Sequence, residues 1–150
     1  MIEPAAFKTP KVRQAYEYWL GKSAGALLPS RSDIKPLELR GLLDHLFLID
    51  VTQDPLTFTF RLVGSQLTRW AGREHTGFTF NDQPDEPNWK TVFDDYRSVV
   101  ETRLPRRDER TAPWAREGFY RFERMVAPLS NSGGTVDMLF GALDMVQRDL

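Results

Sequence analysis

The stretch Thr135-Val-Asp-Met-Leu-Phe-Gly-Ala-Leu143 decides the fold of this chain. Its alternating positions form two apolar sets, which are Val136, Met138 and Phe140 in one and Leu139, Gly141 and Leu143 in the other. Neighbouring residues of a strand point to opposite faces, so a strand that is apolar on both faces belongs to a sheet covered on both sides. The sequence therefore predicts a layered domain with helices on each face of a sheet.

Four further stretches complete the predicted sheet. The strand that contains 135–143 is predicted to extend to residue 145 and to pair with segment 118–128 across a turn at 130–134. The polar segment 106–114 is expected as an edge strand. Earlier in the chain, 45–51 and 57–63 flank a short turn and predict an antiparallel hairpin. Strands and helices do not alternate one by one, which favours an antiparallel sheet and the α+β class.

Two longer helices are predicted from apolar residues that recur every three or four positions. The first follows Thr9, a potential capping residue, and the second spans 88–103. The apolar face of the first consists of Val12, Ala15, Tyr16, Trp19 and Leu20. We expect the helices between the second and third strands to cover one face of the sheet, which leaves the other for the N-terminal helix. Residues 1–28 are thus a helix and linker, and 29–150 a second unit.

Length and composition exclude several classes of protein. The 150 residues carry 20 Lys and Arg against 21 Asp and Glu, and 41% are hydrophobic. The net charge of −1 provides no bulk attraction for nucleic acid or anionic lipid. The absence of cysteine excludes disulfides, thiolate metal sites and cysteine nucleophiles. With no secretory signal and no apolar run near the roughly 20 residues of a membrane span, we expect a cytoplasmic protein without membrane insertion.

Six short motifs point to a family. They are PSRSDI (29–34) with Pro36-Leu37, HLFLID (45–50), FRLVG (60–64), GRE (72–74) with TG (76–77), FER (122–124) with PLS (128–130), and VDMLFG (136–141). In this order they resemble a family of stand-alone PAS-like proteins common in alphaproteobacteria, formerly a domain of unknown function. The resemblance covers about residues 29–145. It implies a PAS-like fold, with crossover helices on one face of a five-stranded antiparallel sheet, and a role in sensing or partner binding.

A small-molecule site in such a fold would be lined by aromatic side chains of the crossover helices and the strands. The same residue types also fill ordinary cores, which is the alternative interpretation. The candidate ligand-binding residues are Trp70, His75, Trp89, Phe93, Tyr96, Phe122, Arg124 and Met138. Glu123 and Arg124 are neighbours in a strand, so only one of them can face the cavity.

Cofactor and catalytic signals are weak. A haem iron could take His75 as its axial ligand, although a surface-loop histidine is the more ordinary interpretation, so the cofactor is left unknown. Adjacent Asp94 and Asp95 point about 100° apart on a helix and indicate a solvated helix face rather than a catalytic pair. The arginines between 103 and 110 are nearly cancelled by interleaved acids. We therefore predict no catalytic residues, no metal site, no nucleic-acid partner and no enzyme.

The N-terminal helix has two possible packing partners. Its face, which includes Val12, Tyr16, Trp19 and Leu20, can pack on its own sheet or on that of a second copy in a homodimer. Together with the resemblance, this predicts a sensory or protein-interaction module without its own output domain, which signals through a protein partner. The alternative is a ligand-free homodimerisation scaffold.

Overall fold

The computed structural model describes residues 1–23, 27–80, 87–112 and 120–148. Its centre is one antiparallel sheet in the order β2-β1-β5-β4-β3. The strands are β1 (Leu46–Thr52), β2 (Thr57–Val63), β3 (Arg106–Ala112), β4 (Tyr120–Leu129) and β5 (Met138–Arg148). The predicted five-stranded antiparallel sheet is confirmed, and the polar strand β3 lies at an edge as expected. The predicted ends of β3 and β4 between 113 and 119 lie outside the described residues.

Three α-helices accompany the sheet in the part of the chain that the structure describes. They are α1 (Pro10–Lys22), α2 (Ser65–Ala71) and α3 (Pro87–Thr102), and short 3₁₀ turns lie at Pro4–Ala6, Arg31–Asp33, Pro36–Leu39 and Leu43–His45. The helix α2 ends at Gly72, whose positive φ of 78° suits the left-handed residue that closes a helix. No helix within the described ranges is long and apolar enough to cross a membrane.

The two faces of the sheet carry separate apolar clusters, as the doubly apolar stretch predicted. Along β4 and β5, Met125, Ala127 and Phe140 face α1, whereas Val126 and Leu139 face α3. This alternation follows from the pleat, which points successive side chains to opposite faces. Each face of the sheet is therefore covered by a helix, so two neighbouring residues of a strand can both be buried.

The helix α1 packs on the sheet of its own chain. Tyr16 and Trp19 are almost fully buried there, and the indole Nε1 of Trp19 donates a hydrogen bond to the carbonyl of Pro128 at 2.9 Å. Val12 is fully buried and Leu20 is half-buried in the same cluster. In this arrangement the predicted dimer face is covered by its own sheet, so its use by a second copy would require α1 to leave. The homodimer stays a prediction.

Candidate ligand-binding site

A cavity of about 370 Å³ lies between the sheet and α3, on the face opposite α1. This volume falls within the range of roughly 300–1000 Å³ that is typical of small-molecule sites. The ring side chains that line it include Phe47, Phe60, His75, Trp89, Tyr96 and Phe122. The cavity therefore lies where the sequence placed the candidate site, between the crossover helices and the sheet.

One end of the cavity is formed by aromatic rings. The rings of Phe60, His75 and Trp89 lie 5.8–6.2 Å apart from centroid to centroid. Burial lowers the pKa of His75, and the charge of Arg73 lowers it further, so the imidazole is neutral at pH 7. This end is therefore mainly aromatic, with a neutral imidazole and the cation Arg73 beside it.

The floor of the cavity depends on a glycine. Gly141 of β5 is paired with Phe47 of β1, and a Cβ at this glycine would overlap the ring of Phe47. Because glycine has no Cβ, the ring can lie against the neighbouring strand, where it lines the cavity. Gly141 therefore positions Phe47 in the cavity floor.

The other end of the cavity is a charge cluster around one buried arginine. Arg124 of β4, only 4% exposed, donates hydrogen bonds to Asp95 at 2.6 Å and to Asp108 at 2.7 Å. Arg110 donates to both oxygens of Asp95 at 2.6 and 3.0 Å, and Arg106 contacts both aspartates. We call these five residues the arginine–aspartate cluster. It contains three guanidinium groups against two carboxylates, so its net charge is positive.

The position of Asp95 corrects the sequence analysis. This residue is buried beneath α3 at 5% exposure and does not lie on a solvated helix face, although its neighbour Asp94 does pair with surface cations. Burial opposes ionisation of Asp95, but the hydrogen bond from Arg110 and the charge of Arg124 outweigh it and hold its pKa below the ordinary value. Asp95 is therefore an ionised part of the cluster.

Strand pairing explains how the cluster assembles. In the antiparallel register Asp108 of β3 lies opposite Arg124 of β4, so the two side chains share a face. Arg106 and Arg110 flank Asp108 at a spacing of two and point the same way. The sequence feature that could have identified the cluster is this alternation. The charges of β3 nearly cancel along the chain, but alternate residues point to opposite faces of the sheet and so form two separate sets.

The second set of charges surrounds Glu123 on the α1 face. Its fully buried carboxylate accepts hydrogen bonds from the backbone N of Lys8 at 2.8 Å, from the backbone N and hydroxyl of Thr9 at 2.9 and 2.7 Å, and from Nε of Arg107 at 2.7 Å. The Thr9 hydroxyl is thus bonded to Glu123 and does not cap α1. Arg124 faces the cavity, and Glu123 holds the N-terminal segment behind it.

Five of the eight predicted ligand-binding residues line the cavity, and three do not. His75, Trp89, Tyr96, Phe122 and Arg124 are brought together there. Trp70 contacts the ring of His45 at 5.5 Å and Phe93 packs behind the cavity against Phe58 at 5.1 Å. Met138 is misplaced by the prediction, because it packs in the cluster on the α1 face. Arg110, which the sequence analysis did not select, is a cavity residue.

Two other polar groups complete the description. Burial raises the pKa of Tyr96 to about 12, so its phenol beside Arg124 is neutral. His45 lies 3.5 Å from Asp144, and burial lowers its pKa. Within the described ranges, no three His, Cys, Asp or Glu side chains are grouped to hold a metal ion.

Comparison with known proteins gives a family match and a fold match. The family model described as PAS domain matches residues 7–144, which includes α1. The PAS domain of Bordetella pertussis BvgS is similar with a TM-score of 0.55 and 17% identity, over 75% of this chain and 88% of that chain. A LOV protein of Rhodobacter sphaeroides is similar with a TM-score of 0.53 and 12% identity, over 91% and 69%. At these identities the likeness shows the fold alone. No curated protein matches.

Proposed function

The chain belongs to the PAS domain family, and we propose on that premise that it is a sensor that binds a small molecule in its cavity and signals through a protein partner. PAS domains are typically sensory or signalling modules. We further propose that it is a cytoplasmic, non-enzymatic member of the stand-alone alphaproteobacterial group named above. The sequence motifs support that finer assignment.

The single observation that supports the sensor is the cavity itself. It combines a volume of about 370 Å³ with ring side chains at one end and a buried guanidinium at the other. Sites for small molecules typically have an apolar lining with a few fixed polar groups, which orient the ligand.

A route from the cavity to the surface supports the signalling part of the proposal. Arg124 contacts the cavity, and the next residue, Glu123, binds the backbone of Lys8 and Thr9 on the opposite face. A ligand shifts an equilibrium only when it binds two conformations with different affinity. A ligand that moves β4 at Arg124 would change the geometry that Glu123 offers to the segment before α1.

Native mass spectrometry of the purified protein, followed by denaturation of the same sample, tests the proposal. We expect an added mass that is lost on denaturation. The variant Val92→Phe, which places a ring in the cavity, should lose that mass. The variant Val100→Phe is the matched control, because Val100 is also a half-buried valine of α3 but does not line the cavity. A bare wild-type chain at monomer or dimer mass, with no binding of added small molecules, would refute the sensor and favour the scaffold.

A further inference from the structure

We propose that the cavity binds a small carboxylic acid with an apolar body, with the carboxylate at the arginine end and the body among the rings. This inference rests on the proposed function and adds the chemical class of the ligand. The charge of the surfaces that line the cavity supports it.

The described residues that line the cavity carry charge of one sign. Among the described residues, the cavity lining contains Arg73, Arg110 and Arg124 and no aspartate or glutamate. The two carboxylates of the cluster, Asp95 and Asp108, contact the guanidinium groups without lining the cavity. A ligand at this end therefore meets cations first and the acids only behind them. Such a surface favours an anion over an isosteric neutral group.

The aspartates leave donor capacity on the arginines. Both hydrogen bonds of Arg124 to the aspartates come from one terminal nitrogen, and its buried Nε has no partner within the described ranges. Arg110 lines the cavity with a third of its side chain exposed. A buried N–H without a partner costs free energy, and a carboxylate oxygen that accepts from it would form a charge-assisted hydrogen bond. A carboxylate that seats here would reach Arg110 directly, and a small turn of the Arg124 side chain would bring its Nε into range.

The remaining lining defines the body of the ligand. The rings of Tyr96 and Phe122 lie 5.7 and 5.8 Å from the guanidinium carbon of Arg124, so an apolar surface begins at once beside the charge. Beyond them, Phe60 and Trp89 with the neutral His75 form the aromatic end. Arg73 also lines the cavity and lies close enough to His75 for its charge to lower the pKa of that imidazole. The ligand class is therefore a carboxylic acid with an aromatic or short aliphatic body.

Matched pairs of acids and amides test the inference. We would titrate phenylacetate, indole-3-acetate and hexanoate, each against its neutral amide, into ¹⁵N-labelled full-length protein. The indole N–H signal of Trp89 and the backbone signals of β3 and β4 report binding. Each acid and amide pair has nearly the same shape, so the ratio of their affinities isolates the charge. We expect the best acid to bind about tenfold or more tightly than its amide, the factor for a charge-assisted over a neutral hydrogen bond.

Three variants connect that ratio to the cluster. Arg110→Gln removes one cation from the cavity end and should bring the ratio of acid to amide affinity close to one. Asp108→Asn adds one net positive charge and should raise it. Arg121→Gln is the control, because it makes the same charge change on the α1 face of β4, where Arg121 pairs with Glu109. It should leave the ratio unchanged. We use Arg110 rather than Arg124 because the partly exposed residue can be replaced without leaving a buried hole.

The outcomes separate the two levels of the proposal. A ratio of tenfold or more that depends on Arg110 supports the carboxylate. Equal binding of acids and amides, or a neutral molecule recovered by native mass spectrometry, overturns the carboxylate and leaves the sensor intact. No binding of any probe together with a bare chain overturns both.

Discussion

Replacement of Glu123 by glutamine is expected to destabilise the protein by about 3 kcal/mol. The carboxylate is fully buried, and each of its oxygens accepts two hydrogen bonds. Oε1 accepts hydrogen bonds from the backbone N and the hydroxyl of Thr9. Oε2 accepts them from the backbone N of Lys8 and from Nε of Arg107. Glutamine keeps one acceptor oxygen and turns the other into an NH₂ group. In one orientation the NH₂ group faces two donors, the backbone N of Lys8 and Nε of Arg107. In the other it faces the backbone N of Thr9, while the Thr9 hydroxyl can turn to accept.

The magnitude follows from what is lost. Each hydrogen bond to a charged group contributes roughly 1.5–3 kcal/mol, and removal of one partner of a buried charge pair costs roughly 3–5 kcal/mol. We take the lower end because Arg107 remains partly exposed and keeps Glu109 at 3.0 Å. In a chain of this length, a loss of about 3 kcal/mol lowers Tm by roughly 6–12 °C.

Urea unfolding followed by tryptophan fluorescence and far-UV circular dichroism measures the loss. Hydrogen exchange should also show reduced protection at the amides of Lys8 and Thr9. Asp94→Asn is the control, since it makes the same chemical change at an exposed carboxylate that pairs with Lys90 and Arg97, and it should cost less than about 1 kcal/mol. A loss for Glu123→Gln no larger than that of the control would refute the reasoning.

Three more predictions concern stability. Gly64→Ala should destabilise by roughly 1–3 kcal/mol, because its Cβ would overlap backbone atoms of the 3₁₀ turn Leu43–His45. Gly21→Ala, inside α1 with open space around it, should stabilise by up to about 1 kcal/mol. Urea titrations that give the same sign for both would contradict this. Hydrogen bonds from Arg121 and a nearby lysine lower the folded pKa of Glu109 to about 2. The stabilisation that ionised Glu109 provides is therefore present above the unfolded pKa near 4.5 and is lost as the pH falls toward 2. The variant Glu109→Gln should then show a smaller decline of the unfolding free energy between pH 5 and 2.5 than the wild type. The same decline in both proteins would argue against this. Asp95→Asn should lower the free energy of unfolding by about 3 kcal/mol, well above the loss for the control Asp94→Asn. Equal losses for the two variants would contradict the burial of Asp95 in the cluster.

The periodic elements were predictable because their signals are local. The alternation in 57–63 and the spacing of the α1 face identify a strand and a helix without any knowledge of the rest of the chain, and the structure has both, as Thr57–Val63 and Pro10–Lys22. The doubly apolar stretch likewise predicted cover on both faces of the sheet, and the structure places α1 and α3 there.

The errors arose where a residue's environment is set by distant partners. Asp95 appeared to be half of a solvated pair, because nothing within α3 indicates that Arg110 and Arg124, 15 and 29 residues away, reach it. Met138 was assigned to the cavity from its residue type, whereas the register of β5 turns it to the α1 face. A shift of register by one residue would exchange these faces, so residue type alone cannot decide them.

By itself, the sequence determined the order of strands and helices, the antiparallel sheet and its two covered faces, because periods of 2 and 3.6 residues reflect backbone geometry. Only the tertiary structure decided that Glu123 and Arg124 are both buried, one against the N-terminal segment and one at the cavity. A charged side chain is buried only where counter-charges and donors converge on it, and here these come from β3, α3 and the chain before α1. That convergence depends on strand register and helix position, which no single segment of the sequence encodes.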